Sequence, residues 1–230
     1  MKRLYTTLIL LAFTLCGMAQ YQKGDTFIYP RIGFAISNHT NNSLYYATDS
    51  KPVDSRPKAG FTAGVEGERF LSNPLSLSVG LFYANQGFKY PDFGTEDTEA
   101  KTFWNAEKQK TTMHYLQIPV MANLYLADGL AIKAGVEMGY LLQAKTNGRM
   151  TEGIIDNENM FVVQKTEEIS QKCTDAYRNI DFSIPIGASY EYMGFVLDLR
   201  YHFGLTNISK HLDKTRNSVL TFTLGYQFEI

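Results

Sequence analysis

Four histidines, two cysteines and a scatter of carboxylates are the side chains of this 230-residue chain with the greatest chemical potential. Acyl-ester hydrolysis needs a hydroxyl nucleophile within reach of a histidine. His202 is followed by Phe203 and Gly204, so that nucleophile is missing, and the alternation around it turns the ring away from the apolar face. A histidine held by Asp198 or Asp181 is the simpler reading. His114 falls near a strand end, and His39 and His211 fall in connections. No two histidines have metal-ligand spacing. The acids at Asp156 and Glu158 lack the oxygen ladder of a calcium loop. Neither a glycine-rich phosphate loop nor a nucleophile elbow is present. The residues therefore call for no metal and no cofactor, and the expectation is a protein that is not an enzyme.

The elements that would position these groups are strands. Leu220, Phe222, Leu224, Tyr226, Phe228 and Ile230 alternate with Thr221, Thr223, Gly225, Gln227 and Glu229. The same two-residue period runs through 130–140, 180–190 and 195–205, and less regularly through 27–38, 58–71, 74–89 and 111–126. Turn-forming triplets, Ser72-Asn73-Pro74, Ala127-Asp128-Gly129 and Tyr192-Met193-Gly194, join alternate pairs. The other connections, 39–57, 90–110, 146–177 and 207–216, are long and polar. Short and long connections alternate without exception, which places three turns at one end of the set and four loops at the other.

The amino end reads as an export leader. Lys2 and Arg3 precede the apolar run 4–15, and Gly17-Met18-Ala19 sets small residues before a cut ahead of Gln20. The run is too short to cross a hydrocarbon core of ~30 Å as a helix. This divides the chain into a cleaved segment, 1–19, and one barrel domain, 20–230. Lipid attachment at Cys16 fits poorly, because Phe13 and Leu15 occupy positions that want leucine and a small residue. After cleavage only Cys173 remains, so no intramolecular disulfide forms. Losing Lys2 and Arg3 from 22 basic residues leaves 20 against 23 acidic ones, no footprint for nucleic acid.

Alternation alone leaves open which face meets solvent, since a lipocalin-like barrel also has eight strands. Two features favour a membrane. Glycines 64, 80, 135, 139, 187, 204 and 225 all fall on the polar face, where they relieve crowding inside a narrow barrel. That face also sets Glu66, Glu68, Glu137, Asp181 and Asp198 against Arg31, Lys133 and Arg200, with His202 among them. Buried charges persist when paired. Tyr83, Tyr140, Tyr190, Phe195 and Phe228 fit interfacial girdles on the apolar face. The expected fold is all-β: an eight-stranded antiparallel up-and-down transmembrane barrel with four long outside loops and three short periplasmic turns.

Tyr115-Leu116-Gln117-Ile118-Pro119-Val120 resembles the Y-L-E/Q-I-P strand of the PorT-type outer-membrane β-barrel family, common in Bacteroidetes. The stretches 199–208 and 224–228 are similar too, and the likeness covers most of the mature chain. It implies an outer-membrane location among lipid and a role in secretion or envelope assembly with a protein partner. A departure is the terminal Glu229-Ile230, where many barrels end on an aromatic residue. Contact residues are sought in the loops: Tyr45, Tyr46, Trp104, Ile154, Ile155 and Phe161. The loop 146–177 reads either as a hairpin rising above the membrane or as a docking surface, and Cys173 within it offers a thiol for cross-linking. The alternatives are a passage for small or apolar solutes and a lipid-modifying enzyme.

Overall fold

The computed structural model describes residues 21–46, 51–156, 158 and 160–230. The leader expected over 1–19, with Cys16, lies outside them. Eight strands are hydrogen-bonded along both edges: β1 (Thr26–His39), β2 (Arg56–Ser72), β3 (Leu75–Lys89), β4 (Thr102–Ala127), β5 (Leu130–Ile155), β6 (Ile180–Tyr192), β7 (Phe195–Gly204) and β8 (Asn217–Tyr226). Each pairs antiparallel with its neighbour in sequence, and β8 pairs with β1 from Arg31↔Gly225 to His39↔Asn217. The ladder of this all-β antiparallel barrel thus returns to its start. Phe228–Glu229 extends the β8 side past Gln227 and pairs with Phe27 and Ile28.

The three tight turns fall where turn chemistry placed them. At the β6–β7 turn Met193 and Gly194 both take positive φ, 51° and 83°, the mirror-image geometry whose twist matches that of the flanking strands. Gly129 holds a φ of 70° at the β4–β5 turn, a backbone that glycine adopts without strain.

Parity sorts the faces. Ile32, Phe34, Val79, Ile132, Val136, Leu199 and Phe222 all point outward and are exposed, while the residues between them are mostly buried and polar. A continuous apolar girdle of this kind is the surface a barrel presents to lipid. Aromatics rim it at both ends. Tyr226 meets both Phe195 and Phe228 edge-on at the short-turn end, and Phe61–Tyr83 and Tyr201–Phe203 pair at the other.

Two of the expected loops are largely strand, a correction to the sequence reading. β4 and β5 run on together to Thr102↔Ile154, well beyond the apolar band. Phe93–Asp97 adds to the outer edge of β4, and Phe161–Lys172 to that of β5. The result is a four-stranded sheet standing above the barrel, so the hairpin reading of 146–177 describes its backbone.

A charge at the middle of the apolar band tests the assignment of faces. Val136→Arg should destabilise the protein by about 2–4 kcal/mol, and Leu130→Arg at the band's edge by only about 0–1 kcal/mol. Denaturant unfolding in lipid vesicles reads both, and equal costs would contradict the depth assigned to the strands.

Candidate functional site

The inward residues form three layers. At the short-turn end Tyr21, Phe27, Tyr29, Phe70 and Val196 pack with Tyr125, and the Tyr21 and Phe70 rings stack 4.4 Å apart. At the long-loop end Phe88, Met113, Tyr115, Leu141 and Ala144 form a second apolar layer, flanked by Tyr90, Cys173 and Tyr177. All nine residues expected in the lumen are buried, and they lie between these layers.

A five-membered ion cluster occupies the centre. Arg31 Nη1 lies 2.8 Å from Asp198 Oδ2, and Lys133 Nζ lies 3.1 Å from the same oxygen. Arg200 Nη2 reaches Glu66 Oε2 at 2.7 Å. Its Nε is 2.7 Å from Asp198 Oδ1, yet off the line of a hydrogen bond, so that contact is Coulombic. Five charged side chains fit together here because two partner strands carry no side chain beside the arginine stems. A Cβ on Gly225 would sit 2.7 Å from Arg31 Cγ, and one on Gly187 2.9 Å from Arg200 Cγ.

Three acids have partners other than those expected. His202 Nδ1 is 3.1 Å from Glu137 Oε1, and Nε2 is 3.1 Å from Thr221 Oγ1, so its partner is neither Asp198 nor Asp181. Gln117 Nε2 donates to the same Glu137 oxygen at 2.7 Å. Glu68 is held by neutral donors: Ser76, Asn123 Nδ2 at 3.0 Å and Tyr125 Oη at 2.9 Å. Asp181 accepts from Thr206 and from Asn217 Nδ2 at 2.6 Å. Hydroxyls and amides thus stand where cations were expected. His39 also departs from expectation, since it closes β1, is buried, and packs against Phe88 at 4.6 Å.

The space left among Arg31, Glu137, Asp198, Arg200 and His202 is about 20 Å³, room for a single water. A passage needs far more. Among the described residues no group of three or more His, Cys, Asp or Glu side chains converges where a metal could bind.

The loop residues are more dispersed. Tyr45 is exposed, but Tyr46 packs against Phe93 and Trp104, which half-buries the indole. Ile154, Ile155 and Phe161 lie at the top of the β5 hairpin, with Phe161 edge-on to the buried Phe103. Asp156 accepts from the backbone N–H groups of Glu158 and Met160, a turn cap that accounts for this acid. Cys173 is half-buried, its Sγ 3.4 Å from Thr146 Oγ1. Missed by sequence reasoning was Phe103, while Phe161–Lys172, the second arm of the hairpin expected over 146–177, is exposed along nearly its whole length.

A family model described as an outer membrane protein beta-barrel domain matches residues 18–210. The curated proteins give no match. Among solved structures the chain is similar to Ail, the attachment invasion locus protein of Yersinia pestis, in complex with the heparin analogue sucrose octasulfate. The identity is 14% over 90% of this chain and 100% of that one, with a TM-score of 0.43. It is similar to Neisserial surface protein A at 11% identity, over 88% of this chain and 97% of that one, with a TM-score of 0.41. For the E. coli outer membrane protein W the values are 14%, 91%, 100% and 0.31.

Removing one charge of the central cluster leaves its partners buried and uncompensated. Arg200→Met should cost about 3–5 kcal/mol, measured by chemical unfolding in detergent or vesicles. A loss under about 1 kcal/mol would mean that Arg31 and Lys133 suffice to neutralise Glu66 and Asp198.

Proposed function

This chain belongs to the family of outer membrane protein beta-barrel domains, and from that premise we propose that it is a non-enzymatic barrel whose long-loop end recognises a partner protein or surface ligand. In this reading 1–19 is a cleaved leader, the eight strands paired on both edges form the transmembrane barrel, and the long loops face outward. One observation carries the recognition role. The strand Phe161–Lys172 stands clear of the apolar band, is hydrogen-bonded along one edge only, and exposes Phe161, Val162 and Val163. Such an edge offers backbone groups and side-chain anchors to an added strand. Ile154 and Ile155, opposite Val162 and Phe161, extend the contact area, and Tyr45 adds an exposed ring beside Tyr46, which packs on the opposite edge strand at Phe93. Tyr46 and Trp104, packed on each other, stiffen the platform beneath it.

The PorT-type resemblance gives secretion or envelope assembly as the setting. It does so without an active site, because its signature residues serve the lumen. Tyr115 belongs to the upper apolar layer, Gln117 donates to Glu137, and Pro119 lines the central void. Solute passage is disfavoured by apolar layers above and below a void of about 20 Å³. Lipid-modifying catalysis is disfavoured by the position of His202, buried in the lumen and engaged at both nitrogens.

Thr151 and Thr166 are cross-strand partners, so an Asn-Gly turn can join them while keeping the register below. The truncated protein should still change mobility on heating, as closed barrels do, yet lose a partner that co-purifies stoichiometrically with the native protein. Retention of that partner would sink the reading. In planar bilayers the intact protein should show no stable single-channel conductance, and steady channels would restore the passage alternative.

A further inference from the structure

Above the apolar band, on the outward face, lysines stand opposite lysines. Lys89 is the cross-strand partner of Lys110, and Lys145 that of Lys172. Directly opposed residues share a face, and like charges so placed repel. The two pairs lie on neighbouring rungs, since Lys110 is also opposite Asn147 and Thr112 opposite Lys145. Lys58 joins from β2, with Nζ 2.7 Å from Asn85 Oδ1, and His114 lies one rung below. Among the described residues none of these lysines forms an ion pair. The acids nearby are few. Glu107 and Glu168 flank Arg149 on the rung above, and Arg149 Nε engages Glu168 at 2.8 Å. Asp92 accepts from the backbone N–H of Lys108. That residue sits in a bulge with a φ of 53°, and with Lys89, Lys110, Tyr90, Asn147 and Glu168 it lines an open pocket of about 450 Å³.

Depth identifies the counter-charge. The rung of Tyr83, Leu116 and Tyr140 marks the upper aromatic rim, and Lys145 lies two rungs above it. Four residues of strand span about 13 Å, or roughly 9 Å along the normal of a barrel tilted by ~45°. This is headgroup depth, and lysine stems can reach down towards it. We propose that this face binds the phosphate groups of a phosphorylated glycolipid in the outer leaflet, with Lys89, Lys110, Lys145 and Lys172 as its principal contacts. The lipid supplies the negative charge that relieves both like-charged pairs, as basic pockets beside membrane spans do for other anionic headgroups. The site takes in Lys172 at the foot of the strand Phe161–Lys172, below the Phe161–Val163 end proposed for partner recognition, and needs only the membrane location.

The test uses the full-length protein in phosphatidylcholine vesicles, with and without an equimolar mixture of bis-phosphorylated and dephosphorylated lipid A. Quantitative mass spectrometry of the re-extracted protein should find the phosphorylated lipid enriched about tenfold over its dephosphorylated form. Lys110→Gln/Lys145→Gln removes one member of each pair and should cut that enrichment at least fivefold. Stability gives an independent readout. Without lipid A the double variant should match or exceed the native protein, because repulsion is relieved; with lipid A the order should invert. If this variant does not fold, Lys89→Gln/Lys172→Gln breaks the same pairs from the opposite side. Equal retention of both lipids, or retention unchanged in the variants, would overturn the proposal. So would binding of inorganic pyrophosphate in lipid-free detergent without lipid enrichment, which would assign the site to a soluble anion.

Discussion

Inside a bilayer no water is available to satisfy a stray backbone N–H or C=O, and each unsatisfied group costs several kcal/mol. The pairing of β8 with β1 meets this constraint, and much else follows from it. Once the ladder returns to its start, each side chain must face either lipid or lumen, with nothing between. The outward set becomes apolar, and the inward set must fill a narrow space with groups that satisfy one another. A polar core is therefore the complement of an apolar surface, and the ions at its centre are a consequence of closure before they are anything functional.

The central cluster joins residues that are remote in the chain. Arg31 meets Asp198 across 167 positions, and Arg200 meets Glu66 across 134. These contacts exist only when the whole circle is assembled, so they reward complete closure over partial sheets. The glycines opposite Arg31 and Arg200 belong to the same device, because side chains there would occupy the space of the guanidinium stems. The apolar layers at each end keep the cluster away from bulk water, which strengthens its Coulombic attractions.

Sequence patterning made the antiparallel strands, their tight turns and their inward and outward faces legible, because each is written locally: a period of two, a Met193-Gly194 turn, an apolar residue on every second rung. Partners across the lumen were not legible. They depend on ring closure and stagger, so His202 met Glu137, and Glu68 and Asp181 met amides and hydroxyls. Of the sheet above the membrane only the hairpin over 146–177 was legible, without its strand bounds or its pairing with 93–106. With water on both faces, stretches such as Gln164 to Lys172 have no reason to alternate, and the period that betrays a half-buried strand is absent. Trp104 misled in the same way, since an aromatic in a polar stretch reads as exposed until its packing against Tyr46 and Phe93 is known.

β4 and β5 run on together, through bulges at Glu107/Lys110 and His114/Tyr115, from the short-turn end of the barrel to the top of the platform. Their hydrogen bonds lie across the strand direction, and so across any pull along it. A tug on the platform therefore loads that ladder in shear, with many rungs sharing the force at once, where an ordinary flexible loop would peel open one bond at a time. The platform is in mechanical terms a mast stepped into the barrel wall, and tension applied at its tip reaches the membrane-embedded strands with little slack.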